Sequence, residues 1–466
     1  MADDTGLDMQ FERRMSDADA LMWGVEKDPL LRSTITAVAI LDRAPDRERL
    51  LDRMERASRV IPRLRQRVAP SPVIPAPPRW VVDPNFDLRY HVRFVRAPAP
   101  GTQRTLLDAA AIVAMQGFDR ARPLWEFHVI EDLADGRAAL IQKIHHSITD
   151  GVGGIKLAMT MLDLERDPEP DESPLPMAPP AEEFSALRLI GGSLMHELRR
   201  QVDITRGLAS TATGTLANPA ARARQLGDVA ASAARIMAPV RAPLSPIMTG
   251  RSLSLHFDVI TAPLEETKRA AKSAGGKLND AFLAAVAGGL RRYHERHGTP
   301  VDTLRTTRPI NIRTEDTASL AGNQFVPARF LVPVGILDPH ERMGVIRDLV
   351  ATQRSEPALP FTETIAGILN RLPTTVVTQI FGSMLKGVDF VTSNVPGAPM
   401  PVFLAGGRME SHIAFAPLSG AATNITLVSY LDDLHIGINT DAGAIPDPDV
   451  FVDCLQEGFD EIAKCA

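Results

Sequence analysis

Residues 124–151 read LWEFHVIEDLADGRAALIQKIHHSITDG. Two apolar runs rich in β-branched and aromatic residues flank a turn at Asp132 to Gly136, which predicts a pair of strands joined by a hairpin. The second run ends in adjacent histidines, His145 and His146, just ahead of Asp150 and Gly151. Neighbouring side chains on a strand point to opposite faces. His145 therefore lies with Ile141 and Lys143, and His146 with Leu140, Gln142 and Ile144. This alternation argues against one ion held by both rings, and no third or fourth ligand stands nearby. Two roles remain for the pair. One is a packed core histidine. The other is a base, since a neutral imidazole accepts a hydroxyl proton near pH 7. Gly153 and Gly154 allow close backbone approach after the turn, and Asp150 can steady the turn or a ring through charge-assisted hydrogen bonds.

Outward from this hairpin, 466 residues exceed one ordinary core and predict two domains. In residues 1–164, RERLLDRMERASRVIPRLRQRV predicts a helix interrupted near Pro62, and RTLLDAAAIVAMQGF a second helix facing inward through Leu106, Ala110, Val113 and Ala114. A further helix is expected over Ile155 to Leu162. Residues 165–250 open with ERDPEPDESPLPMAPPAEEF, a proline- and acid-rich linker, and continue as a helical crossover. Within it, residues 185–206 carry a leucine stripe with Arg188, Arg199, Arg200 and Arg206, suited to an anionic membrane surface or to the protein's own core. Residues 251–466 form the second domain. SLSLHFDVI alternates like a strand, NDAFLAAVAGGLRRYHERHG is a helix closed by Gly298, and strands follow at TTRPINIR, QFVPARFLVPV, VDFVTSNVPG and NITLVSYLDDLHIGINTD before a final helix at 447–464.

A net charge of −6 provides no whole-chain attraction for nucleic acid. Cys454 and Cys465 are too few for a disulfide framework and fit a reducing compartment. The acidic start MADDTGLDMQFERRMSD lacks the basic-then-apolar pattern of a signal peptide, and no apolar run approaches the roughly 20 residues of a bilayer span. The expectation is a cytoplasmic protein with at most peripheral contact to the inner membrane face or to lipid inclusions.

His-His-x-x-x-Asp-Gly at 145–151 resembles the signature of the CoA-dependent acyltransferase superfamily. RPLWEFHVIEDL with Pro123, Leu124 and Trp125, LNDAFLAAVAGGLRR with Asn279 and Asp280, GNQFVPARFLVPV, TSNVPGAP and the opening MSDADALMWGVEKDP are similar to motifs of the bacterial wax ester synthase/diacylglycerol acyltransferase family, in that family's order. TRPINIR, and Ala398 in SNVPGAP, depart from the usual pattern and leave acceptor choice open.

The resemblance implies an α/β fold of two chloramphenicol-acetyltransferase-like domains with an active-site tunnel at their interface. It implies His146 as general base, His145 as support for the loop, and Asp150 as a structural partner of an arginine. Gly151, Asn279, Asn394 and Arg313 are implied substrate-binding positions. Asn279 suits either a site near the reacting carbonyl or the N-cap of its helix. Asn394 to Gly397 is most simply a rigid turn, and Arg313 a contact to CoA phosphates. Trp125 is expected to pack in the core. The partners implied are a long-chain acyl-CoA, as co-substrate with no cofactor or metal, and a lipid alcohol such as diacylglycerol or a fatty alcohol. Two other readings are a glycolipid or polyketide acyltransferase fed by a carrier protein, and an inactive paralogue that coats storage lipid.

Overall fold

The computed structural model describes residues 12–70, 76–148, 160–169, 171, 173–181, 238–240, 242–311, 325–354, 366–367 and 369–466, with a few positions between 190 and 231, and the backbone alone at 308–311, 325–328 and 354. The first half contains α1 (Asp17–Val25), β1 (Thr34–Leu41), α2 (Arg47–Val60), β2 (Gln66–Ala69), β3 (Arg79–Val82), the one-turn α3 (Leu88–His91), β4 (Val92–Arg96), α4 (Gln103–Met115), β5 (Trp125–Glu131) and β6 (Ala138–His145). The second half contains β7 (Leu255–Pro263), α5 (Leu264–Ser273), α6 (Leu278–Arg296), β8 (Thr303–Asn311), β9 (Phe325–Pro333), α7 (Pro339–Arg354), α8 (Thr374–Leu385), β10 (Phe390–Val395), β11 (Phe403–Leu404), β12 (Gly407–Phe415), β13 (Thr423–Tyr430), β14 (Asp433–Asp441) and α9 (Pro448–Ala463).

Two six-stranded sheets organise these elements, ordered β11-β12-β1-β6-β5-β4 and β7-β14-β13-β10-β8-β9. The hairpin forms as its sequence predicts, with Asp132, Asp135 and Gly136 at positive φ in the turn and Val129 opposite Leu140. Both faces of the first sheet are covered. Leu50, Met54 and Ala57 of α2 join Phe127, Val129 and Leu140 in one core. Leu106, Leu107 and Ala110 of α4 join Val38, Ile40, Ile130 and Ile141 in the other. A strand buried on both sides shows an apolar run in place of a clean alternation, which is how β1, TITAVAIL, reads.

Residues 403–415, inside the range expected for the C-terminal domain, join the first sheet: β12 pairs with β1 from Thr36↔Phe415 to Ile40↔Ser411. The two units are therefore interlaced. The acid-rich stretch after Asp163 forms no helix or strand of its own among its described residues, yet it is tied down. Arg49 reaches Asp163 at 3.1 Å and Asp167 at 3.4 Å. Arg56 donates to Ser173 O at 2.7 Å and Arg59 to Pro176 O at 3.0 Å. The expected helix at 155–162 falls on residues that lie, up to 159, outside the described ones. So do the leucine-striped helix, apart from Ile190, Leu194 and Met195, and nearly all of the Ala-rich stretch.

The sheets touch at Gly437 of β14. A Cβ there would stand 2.1 Å from Ala414 O and 3.2 Å from Ile413 Cγ2 of β12. Gly437→Ala is expected to cost about 1–3 kcal/mol by forcing the sheets apart, read as a lowered urea midpoint. Gly344→Ala, on α7 with nothing within 4 Å of its added methyl, should be neutral or stabilising because alanine favours helix.

Candidate active site

The strand β6 ends at His145, and the chain then turns through His146, Ser147 and Ile148. Burial follows the predicted alternation. Ile141, Lys143 and His145 are each fully buried, whereas Gln142, Ile144 and His146 are half-buried. The two rings therefore have separate fates.

Both nitrogens of His145 are committed. The Ser147 N–H, which can only donate, reaches Nδ1 at 3.1 Å, and the Ser147 hydroxyl lies 2.7 Å from the same atom. The proton therefore sits on Nε2, which donates to Glu26 Oε1 at 3.0 Å. Trp23 and Phe118 close the ring's sides at centroid distances of 5.4 and 6.1 Å. Glu26 Oε1 also accepts the Ser33 N–H at 2.6 Å, and the Ser33 carbonyl accepts the His146 N–H at 2.8 Å. One carboxylate thus links α1's end, the start of β1 and the histidine turn. Burial pushes the Glu26 carboxyl up, but its electrostatic interaction and hydrogen bond with His145, the Ser33 N–H and Arg120 outweigh it and hold Glu26 below its ordinary value.

Next to His145 on the same face, Lys143 Nζ lies 3.6 Å from Glu126 Oε1 and 4.4 Å over the Phe118 ring. Burial pulls the lysine's pKa down, against the opposing pull of Glu126. Trp125 is core packing as expected: fully buried, stacked on His91 at 4.4 Å, with Nε1 donating to Leu64 O at 2.8 Å.

The other predicted positions lie in the second unit or outside the described residues. Asp150, Gly151 and Arg313 are among the latter. Asn279 sits in the first turn of α6 but is not its cap. Lys277 holds that place, and Asp280 Oδ2 reaches back to accept the Lys277 N–H at 2.8 Å. The Asn279 Nδ2 is buried without a protein partner. Asn394 is not in a turn: it lies within β10, opposite Leu427. The turn comes later, where Gly397 donates to Ser429 Oγ at 3.2 Å and a Cβ would meet Ser429 O at 1.8 Å. Glu26 and β1 were not singled out from the sequence. Glu26 lies inside the opening motif MSDADALMWGVEKDP, the one signal that pointed near it.

Two interlaced α/β units with a histidine turn at the end of a central strand define the chloramphenicol-acetyltransferase-like class. Residues 15–282 match the wax ester synthase/diacylglycerol acyltransferase catalytic domain, and residues 321–463 the WS/DGAT C-terminal domain. A Mycobacterium tuberculosis protein, assigned provisionally by name to the diacylglycerol O-acyltransferases, is 38% identical over 461 residues, covering 97% of this chain and 93% of its own. A second from the same organism is 30% identical, covering 93% of each chain. The solved wax ester synthase/diacylglycerol acyltransferase from Marinobacter aquaeolei VT8 shares the fold with a TM-score of 0.63 at 22% identity, covering 97% of this chain and 98% of that one. The first condensation domain of the calcium-dependent antibiotic synthetase shares it at a TM-score of 0.61 and 14% identity, covering 97% and 95%. The chain belongs to the wax ester synthase/diacylglycerol acyltransferase family, and is an acyltransferase of that family.

Glu26→Ala strands the His145 Nε2–H and the Ser33 N–H and should cost about 1–3 kcal/mol, measured by urea denaturation; Glu26→Gln should cost less, since its carbonyl still accepts. A depressed carboxyl pKa stabilises the fold above the ordinary glutamate value near 4.5 and loses that contribution as pH falls through the lowered value. The stability advantage of wild type over Glu26→Gln should therefore shrink steadily below pH 4.5.

Proposed function

We propose that the protein transfers a fatty acyl group from acyl-CoA to the hydroxyl of a lipid alcohol, with diacylglycerol the leading acceptor and fatty alcohols taken in the same site. The observation that carries this reading is the division of labour in the histidine pair. His145 has both nitrogens occupied and no exposure. His146 is half-buried, and its backbone is fixed by Ser33.

In this mechanism His146 takes the acceptor's proton as its oxygen attacks the thioester carbonyl. The carbonyl π electrons move to oxygen, giving a tetrahedral oxyanion. The carbonyl re-forms, the C–S bond breaks, and the proton on His146 leaves with the CoA thiol. No acyl-enzyme forms, and no metal or further cofactor is required. Ser147 donates toward His145 and lies outside any nucleophile elbow. The buried, unpartnered Nδ2 of Asn279 suits a donor to the oxyanion. Asp150 is assigned a structural role as the partner of an arginine, and Gly151, Arg313 and Asn394 are assigned to substrate. The names of the mycobacterial relatives favour diacylglycerol. No helix among the described residues is long and apolar enough to cross a membrane. We place the enzyme in the cytoplasm, meeting its oily substrates at a membrane or inclusion surface.

The condensation-domain likeness keeps a second reading in view, a donor delivered on a carrier protein. Purified protein with radiolabelled palmitoyl-CoA and parallel diacylglycerol, hexadecanol and glycolipid acceptors separates the two, because the second predicts no transfer from free acyl-CoA. His146→Ala should reduce turnover by about 10²–10⁴-fold with circular dichroism unchanged. Near-normal turnover in that variant would falsify the proposed base.

A further inference from the structure

The segment that opens with the histidine turn is fixed at both ends. At the near end, the Ser33 carbonyl accepts the His146 N–H at 2.8 Å, and the His145 carbonyl accepts the Ile148 N–H at 2.9 Å. Ile148 is buried in the core that holds Leu50 and Met54 of α2. The chain returns to that same core at Met161, which is 3% exposed like Ile148. Asp150 and Gly151 fall between these two points in the sequence.

Asp163 closes the far end. Its N–H donates to Phe403 O and its carbonyl accepts the Phe403 N–H, both at 2.8 Å, a bridge onto β11 at the edge of the first sheet. Its carboxylate accepts from Arg49 Nη2 at 3.1 Å and pairs with Arg53. These two arginines stand one helical turn apart on α2, so they reach the same carboxylate together. The Asp163 side chain is only 4% exposed, whereas Glu165, Asp167, Glu169 and Asp171 of the following stretch are all exposed. An exposed ion pair fixes little. A buried carboxylate stripped of its partners is strongly unfavourable, so Asp163 is held where its arginines are. The firm anchor therefore stands where the histidine segment ends, and the weaker ties follow it.

Resting on the reading of His146 as base, we infer that Asp163, clamped by Arg49 and Arg53, is a positioning residue for the acyl transfer. It fixes the far end of the segment, and so keeps the turn at the near end, with the His146 ring, in one place. The link between the ends is their shared core. Release of Asp163 loosens the seat of Met161 in the same cluster that seats Ile148, two residues from His146. Misplacing a reacting group by about 1 Å is enough to slow a reaction by up to about 10²-fold.

Asp163→Asn keeps the shape and removes the charge. The first readout is the rate at which diethyl pyrocarbonate modifies His146 in the full chain, followed by peptide mass spectrometry. That rate should rise about fivefold in Asp163→Asn, as the turn opens more often. In Asp171→Asn, whose carboxylate meets Arg56 farther along the stretch at 3.2 Å, it should stay within about twofold of wild type. An unchanged rate in Asp163→Asn overturns the inference, and so does an equal rise in both variants. The second readout is turnover of palmitoyl-CoA with diacylglycerol, taken where circular dichroism shows the variant folded. In Asp163→Asn kcat should fall about tenfold while KM for palmitoyl-CoA stays within about twofold. Arg53→Gln removes the same pair from its more exposed side and serves where Asp163→Asn does not fold. It should move both readouts the same way, and adding it to Asp163→Asn should bring no further loss. Losses that multiply overturn the clamp. Normal kcat in Asp163→Asn overturns the inference where His146→Ala is inactive. Where His146→Ala also turns over normally, and the modification rate still rises in Asp163→Asn, only the base is overturned.

Discussion

The site depends on one buried carboxylate. Glu26 sits where a lone charge would cost several kcal/mol, and it is held there by two donors from different parts of the chain. The His145 Nε2–H comes from the end of β6 and the Ser33 N–H from the residue before β1. The Ser33 carbonyl then accepts from His146. This short circuit fixes the two strands against each other at the point where the chain leaves the sheet. It also fixes the tautomer of His145, which has no capacity left for chemistry. The neighbouring His146, whose backbone the same circuit positions, is half-buried.

A second constraint joins the two units. The chain leaves the second sheet after β10, adds β11 and β12 to the first, and returns to the second as β13. The return is fastened by two asparagine amides: Asn424 Nδ2 donates to Pro417 O at 2.8 Å and Asn439 Nδ2 to Ala416 O at 2.9 Å. Gly437 removes the one side chain that would hold β14 off β12. The first sheet is not complete without β11 and β12 from the second half of the sequence, so the crossing is part of its core. Relative movement of the units would have to break ladder hydrogen bonds as well as shear a contact.

Local pattern was enough for the hairpin, for α2 with its break at Pro62, for α6 and for the β13–β14 pair, because their partners are close in sequence. The alternation of β6 also separates the two rings, with Lys143 and His145 fully buried and His146 half-buried. What the sequence concealed is non-local. GRMESHIAF alternates well enough, but its ladder partner lies some 370 residues upstream, and nothing in its own pattern assigns it to the first sheet. The cap of α6 turned on which side chain reaches back: the helix is capped at Lys277, and Asp280, three residues on, accepts its N–H where Asn279 suits a cap equally well by type. Glu26 looks like any surface acid until two elements fold over it. The acidic stretch after Asp163 has a linker's composition, yet the arginines of α2 recur along the helix and tie it down, an arrangement legible only once both are placed together.

The same economy explains why the seam between the sheets is polar at all. Phe415 of β12 and Phe257 of β7 stack there at 4.0 Å, and Asn439 lies beside Phe257 across the β14–β7 ladder. Its Nδ2 donates to the Ala416 carbonyl at 2.9 Å, at the return from β12. The fastening that completes the crossing therefore places an amide inside the contact between the sheets.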